Sequence, residues 1–311
     1  MTHPGRIAVA DLGTNSTRLL VADLPVGGPL SEVERRSEVT RLGEGVDATG
    51  RLSEEGVERV VACLARYREA ADRHGAGRRI AVATSAVRDA ANGDEFQERV
   101  RSELGFDIRT ISGEEESRLT FLGATAGRPP GPPTLVVDIG GGSTEYVVGE
   151  PGSAPAFHVS TRLGSVRQTE RHLNSDPPTH AELEAMATAA REIITACVPP
   201  QVRGGTDEGL AVAGTATQLA AVDQQLEPYD SGSVHGYRLL LGECERILAR
   251  LAALSLEDRR QVPGLDPERA PTIVAGAVIL VESMRLFGLD YVEVSEADIL
   301  HGAAIEAMVR P

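Results

Sequence analysis

The stretch TLVVDIGGGSTEYVVG, residues 134–149, has a weaker echo in IAVADLGTNSTRLLVAD, residues 7–23. In each, an apolar run ends in an aspartate, a glycine–hydroxyl turn follows, and a second apolar run leads away. Asp11 and Asp138 stand 127 positions apart. Strand–turn–strand is a hairpin pattern and not the strand–turn–helix of a dinucleotide fold. Two copies predict a chain built twice on one plan, a tighter constraint than any other feature here.

The pattern around each hairpin supports the duplication. Residues 7–14, 17–23 and 30–40 read as strands. A helix over 53–74 is capped by Ser53 and carries Val57, Val60, Val61, Leu64 and Tyr67 at helical spacing. Strand 79–84, a short helix at TSAVRDA, helix 94–104, strand 107–111 and a helix from Glu114 follow. GEGV and ATGRLS read as loops. The segment TAGRPPGPP, residues 125–133, holds four prolines and two glycines and reads as a linker. The plan then restarts with strands 134–138, 144–149 and 155–160. Helices 165–173 and 179–198, strand 209–213, helix 238–252, a helix over PERAPTIVAGAVILVESMRLFG, strand 291–295 and helix 297–309 complete it. This alternation predicts an α/β protein with helix-covered sheets. The expected domains are 1–124 and 134–296, with 297–311 a terminal helix packing back on the first.

Bulk properties exclude several function classes. The 311 residues carry a formal net charge of −15 and only 3% aromatics, with no Trp. A nucleic-acid partner is disfavoured, because both basic surface and stacking platforms are scarce. A polyanionic substrate stays open, since local arginines can oppose the global sign. No apolar run of 18 residues exists, so no membrane association is expected and a cytoplasmic protein is the default. Cys63, Cys197 and Cys244 have neither zinc spacing nor a disulfide framework, and apolar helical surroundings predict burial for all three.

The chemistry lies in the turns. Gly140, Gly141 and Gly142 allow successive backbone N–H groups to face one concavity, a nest for phosphate oxygens. Ser143 and Thr144 add hydroxyl donors. Gly13, Thr14, Asn15 and Ser16 repeat the order. Asp138 would repel phosphate without an intervening cation, so the turn implies Mg²⁺ or another divalent ion, with K⁺ as a monovalent possibility. Glu145, seven positions on, and Asp11 in the first copy are candidate ligands. A third turn, with Gly214, Thr215 and Thr217, lies between a strand and a helix. One such turn alone is a common β-turn; two similarly placed copies favour the phosphate reading.

Charged residues near the turns offer the rest. Arg88 follows a strand end and can clamp phosphate bidentately. Glu114, Glu115 and Glu116 open a helix, where the dipole favours acids, and one of them could activate water. Arg162 and Arg167 flank a Gly–Ser turn and are either phosphate-facing or solvated. His172, His235 and His301 are isolated and read as packing or surface residues. No nucleophile elbow, Walker loop or HExxH helix is present, so covalent catalysis has no support.

Taken in order, AVADLGTNSTRLLVAD, ATSAVRDA, ISGEEESRL, VVDIGGGSTEYVVG, LGSVRQTERHL and AVAGTATQLAAV resemble the exopolyphosphatase / guanosine pentaphosphate phosphohydrolase (Ppx/GppA) family. VHGYRLLLGECERILARL and PERAPTIVAGAVILVESM extend the likeness over nearly the whole chain. The resemblance implies the two-domain actin-like (ASKHA, ribonuclease H-like) fold, with duplicated domains and an active site in the interdomain cleft. It implies Glu116 as general base, with Glu115 as rival. It places Asp138, Gly140 and Glu145 in the divalent-ion and phosphate region, and Asn15, Arg88 and Ser143 at phosphate contacts. The implied activity is exopolyphosphatase action on short polyphosphate chains, in the short form of the family, with a homodimer common among relatives. Guanosine pentaphosphate hydrolysis, a non-enzymatic alarmone-binding regulator and an actin-like ATPase are the alternatives. One departure stands out: Leu300, His301 and Gly302 replace an arginine–glutamate–glycine sequence of the family.

Overall fold

The computed structural model describes residues 3–23, 28–206 and 208–309. It comprises two compact units, residues 1–127 with 298–311, and residues 128–297. Residues 310 and 311 of the expected terminal segment lie outside the described residues.

The first unit opens with β1 (His3–Leu12), β2 (Ser16–Asp23) and β3 (Ser31–Val39), a meander. The short α1 (Val46–Thr49) falls where only loop was expected, bracketed by Gly45 and Gly50 in left-handed conformation. Next come α2 (Glu54–Arg73), β4 (Ala76–Ala83), α3 (Ser85–Asp89), α4 (Gly93–Leu104), β5 (Asp107–Thr110) and α5 (Gly113–Ala124). The strand order is β3-β2-β1-β4-β5, with β1 antiparallel to β2 and parallel to β4. Side-chain alternation explains why β1 reads as one apolar run. Ala8, Ala10 and Leu12 fill the core beneath α2 and α4, while Ile7 and Val9 fill a second core on the opposite face.

The second unit repeats the plan with β6 (Thr134–Ile139), β7 (Thr144–Gly149), β8 (Phe157–Thr161), α6 (Ser165–His172), α7 (His180–Cys197), α8 (Pro200–Arg203), β9 (Glu208–Val212), α9 (Ala213–Gln224) and α10 (Ser231–Val234). It continues through β10 (Arg238–Leu240), α11 (Leu241–Ala252), α12 (Leu256–Arg259), α13 (Ile273–Phe287) and β11 (Tyr291–Val294). The sheet order β10-β11-β9-β6-β7-β8 contains the same antiparallel meander beside a parallel strand. The order β8-β7-β6-β9-β11 repeats β3-β2-β1-β4-β5, the duplicated α/β plan expected.

Two further readings change. The expected helix 238–252 begins as a strand, because residues 238–240 pair antiparallel with residues 291–293 at the sheet edge. Its helix starts only at Leu241. The helix expected from Pro267 starts at Ile273.

The last helix, α14 (Ile299–Val309), belongs to the first unit. It crosses α5 with almost no side-chain spacer. A Cβ on Gly302 would lie 1.9 Å from the Leu119 carbonyl oxygen, and one on Gly123 would lie 1.8 Å from that of Asp298. Only glycine permits backbones this close.

Candidate active site

The two aspartate–glycine turns share one geometry. Gly13 N–H donates to the Ser16 carbonyl at 3.0 Å, and Gly140 N–H donates to the Ser143 carbonyl at 3.0 Å. These two amides close the turns and are therefore not phosphate donors; their glycines shape the loops instead. The carbonyls of the loops face away from the nest. Gly140 accepts from Ser165 N–H at 2.9 Å, Gly141 from Val166 N–H at 2.8 Å, and Gly142 from Arg167 Nε at 2.9 Å. The loop thus satisfies amides that the N-terminus of α6 would otherwise leave without partners. In a trans peptide, C=O and the following N–H point oppositely. The amides of Gly141, Gly142 and Ser143 consequently face away from α6. In the first turn the Thr14 carbonyl accepts from Gly43 N–H and that of Asn15 from Thr40 and Arg41 N–H. This sends the Asn15 and Ser16 amides the other way.

Side chains sort themselves differently from expectation. Thr144 Oγ1 donates to the Leu163 carbonyl in a fully buried bond, so this hydroxyl ties β7 to the following loop and is not a phosphate donor. Thr14 Oγ1 shares a 2.9 Å bond with Ser85 Oγ, joining the first turn to the start of α3. The expected third turn is instead the first turn of α9, which follows β9 directly; there Thr215 Oγ1 reaches the Ile139 carbonyl at 3.4 Å and so braces the end of β6. Arg167 is buried, not solvated, and its Nε holds the glycine loop. Arg162 is exposed.

The acids divide sharply. Asp138 faces Glu145 directly across the β6–β7 hairpin, and both are buried. Glu145 Oε1 accepts from Ser160 Oγ at 2.6 Å. Asp11 instead faces Arg18 across β1–β2. Arg18 Nε and Nη2 both donate to Asp11 Oδ2, at 2.9 and 2.6 Å, whereas buried Oδ1 has no hydrogen-bond partner. Burial pushes the Asp11 carboxyl above the usual carboxylate range against the pull of Arg18. The same Arg18 donates from Nη1 to Asp298, and Arg35 lies 3.7 Å from Asp298. Burial alone would raise the Asp298 carboxyl, but Arg18, Arg35 and His301 outweigh it and hold it low. Removing one partner of such a buried pair outright typically costs about 3–5 kcal/mol.

Glu116 lies in the first turn of α5, which is capped by Ser112 Oγ accepting from Glu115 N–H at 3.1 Å. It is buried, and Arg88 Nη1 donates to its Oε2 at 3.1 Å and to the Ile111 carbonyl at 2.8 Å. Adjacent helical residues point about 100° apart. Glu115 accordingly turns outward and pairs with Arg109 on the surface. Of the two glutamates, Glu116 is the one buried beside Arg88.

Sequence reasoning missed Arg18, Asp298 and Ser160. A signal existed for the first: Arg18 follows Asp11 by the same seven positions that separate Glu145 from Asp138.

The family model of the Ppx/GppA phosphatase family matches residues 20–310. The chain belongs to the Ppx/GppA phosphatase family. Among curated members, exopolyphosphatase 2 of Mycobacterium tuberculosis is 38% identical, covering 96% of this chain and 98% of its own. A crystal structure of the Aquifex aeolicus member of the Ppx/GppA family matches with TM-score 0.82 at 32% identity, covering 98% of each chain. An exopolyphosphatase structure from Cytophaga hutchinsonii matches with TM-score 0.89 at 26% identity, covering 98% of this chain and 97% of that one. Membership makes the chain a phosphoanhydride hydrolase of the Ppx/GppA type. Among the described residues, no helix is long and apolar enough to cross a membrane.

Proposed function

We propose that this Ppx/GppA protein is an exopolyphosphatase that removes the terminal phosphate of short polyphosphate chains, with Glu116 as general base. The observation that carries the reading is the buried Glu116 carboxylate at the start of α5, oriented by Arg88. A water oxygen attacks the terminal phosphorus while Glu116 takes the water proton. The bridging P–O bond breaks, and its electron pair leaves on the shortened chain. Arg88 opposes the charge that spreads over the transferring group. The amides of Asn15, Ser16, Gly141, Gly142 and Ser143 serve as phosphate donors in their respective turns.

Asp138 and Glu145 would hold Mg²⁺. Two buried carboxylates at opposed register positions repel each other unless a cation or proton intervenes. Among the described residues, no cluster of three or more His, Cys, Asp or Glu could hold a metal ion. Mg²⁺ suits a two-carboxylate set, since it keeps several waters and binds substrate phosphates as well. Bound there, it would neutralise charge on the phosphate chain. Asp11 fits this role less well than the sequence implied, because Arg18 already occupies Oδ2. Its Oδ1 is buried and has no hydrogen-bond partner.

The test is phosphate release from chains of defined length and from guanosine pentaphosphate, with Mg²⁺, for wild type and Glu116→Gln. Wild type should prefer short polyphosphate, and Glu116→Gln should abolish most release while remaining folded. Equal turnover by the variant would remove Glu116 as base. Preference for guanosine pentaphosphate would reassign the substrate.

A further inference from the structure

We propose that Asp298, at the start of the C-terminal helix, is a positioning residue of the hydrolytic site: through Arg18 it sets the orientation of the Asp11 carboxylate. The inference rests on the reading of Asp11 as a member of that site.

Arg18 carries the link. Nε and Nη2 grip one oxygen of Asp11, and Nη1 reaches Asp298 Oδ2, 280 residues away in sequence. A planar guanidinium with two of its edges taken cannot rotate without breaking both contacts. Its side chain is 14% exposed, against 6% for Asp11 and 1% for Asp298, so water cannot readily replace either partner. The consequence at Asp11 is asymmetric. Oδ2 is fully engaged, and Oδ1 is left as a buried oxygen with no hydrogen-bond partner. Buried polar atoms of this kind are rare in folded proteins and call for a ligand.

Asp298 is itself held rigidly. Its Oδ1 accepts from Leu300 N–H at 3.0 Å, and its backbone N–H reaches His301 Nδ1 at 3.4 Å. His301 Nε2 in turn meets Glu32 Oε1 at 2.8 Å. Arg35 supplies a second cation at Asp298. Leu300 fills the apolar cluster with Ile7, Val9, Leu20 and Leu119, and Gly302 allows the close crossing with α5. Leu300 and His301, which differ from the family sequence given above, and Gly302, which matches it, thus build the mount for Asp298. The same mount abuts the helix that bears Glu116.

The experiment measures kcat and KM on short polyphosphate with Mg²⁺, together with thermal unfolding, for Asp11→Asn, Asp298→Asn, Arg18→Lys and the double variant Asp298→Asn/Arg18→Lys. Asp298→Asn keeps the shape and removes the charge. It should lower kcat by roughly tenfold to a hundredfold with little change in KM, the signature of a misplaced group. Arg18→Lys keeps charge but not the fork, and should do the same. The double variant should fall no further than the worse single one, because the two act as a unit. Wild-type kcat in folded Asp298→Asn or in Arg18→Lys, with Asp11→Asn inactive, would overturn the positioning role. A lowered melting temperature with undiminished kcat per folded molecule would also overturn it. Should Asp298→Asn fail to fold, Arg18→Lys alone decides by the same criterion. Wild-type activity of Asp11→Asn would instead sink the reading of Asp11 on which the inference rests.

Discussion

Arg18 and Glu145 hold the same register position in two copies of one hairpin, and they carry opposite charge. Arg18 faces Asp11; Glu145 faces Asp138. The first hairpin neutralises its aspartate internally. The second places two buried acids face to face, the pair proposed to hold Mg²⁺. The duplication has therefore diverged in charge while keeping its turn geometry. Glu145→Gln should raise the Mg²⁺ concentration for half-maximal activity by about tenfold or more, as loss of a charged ligand or its support generally does. Isothermal titration of Mg²⁺ reads this independently of turnover, and an unchanged affinity would contradict the pairing of Asp138 with Glu145 as the metal site.

Glu116 and Glu115 are neighbours with separate fates. Glu116→Gln should reduce kcat by about 10²–10⁴-fold, the range of a lost general base. Glu115→Gln removes only the half-exposed pair with Arg109, and such pairs contribute at most about 1 kcal/mol of stability. Steady-state phosphate release for both variants separates the two, and comparable losses would mean that neither acts as a discrete base.

Gly302→Ala places a methyl group 1.9 Å from a backbone carbonyl oxygen on α5. No side-chain rotation relieves that clash, so the helices must part. Overpacking of this kind costs about 1–3 kcal/mol or more. Thermal unfolding should show a clear loss. A substitution at Gly242, where a Cβ would meet nothing within 4 Å, supplies the contrast.

Acid stability should depend on the α7 cap. Glu182 accepts from Thr179, Asn174 and Ser175 N–H, and these bonds, led by Thr179, lower its carboxyl from 4.5 to about 2. A depressed carboxyl stabilises the fold fully above its unfolded value and loses that contribution as pH falls toward 2. Urea unfolding of wild type against Glu182→Gln should show a stability difference at pH 7 that shrinks between pH 4.5 and 2. A difference independent of pH would place the effect elsewhere.

The three cysteines should differ in reactivity. Cys197, expected in the core, is exposed because it sits on the outer side of the last turn of α7, while Ile194 faces inward. Burial pushes the Cys63 and Cys244 thiols up to about 12. A thiol reagent should modify one equivalent rapidly in the native protein and the rest only on unfolding. Rapid modification of all three would contradict the packing of α2 and α11.

Much of the fold was written in local pattern. The hairpins at Asp11 and Asp138 show as apolar runs around a glycine turn, because buried strands and tight turns need those residue types wherever they occur. The helix at 53–74 announced itself by Ser53 and by helical spacing, since capping and amphipathicity act within a few residues. Residues 238–240 did not, because a three-residue edge strand exists only through its pairing with residues 291–293. Arginines misled for the same reason: nothing near Arg167 in sequence reveals that it is buried against the Gly142 carbonyl.

The duplication, the α/β class, the glycine turns and the acid-rich helix start at Glu116 are all properties of short segments and are legible in the residues alone. Tertiary structure alone decided which acids share a face, which glutamate meets Arg88, and that Arg18 joins Asp11 to Asp298. Those relations depend on strand register and on contacts spanning up to 280 residues. Charge pairing at such separations follows from where the chain returns in space, and no local spacing records it.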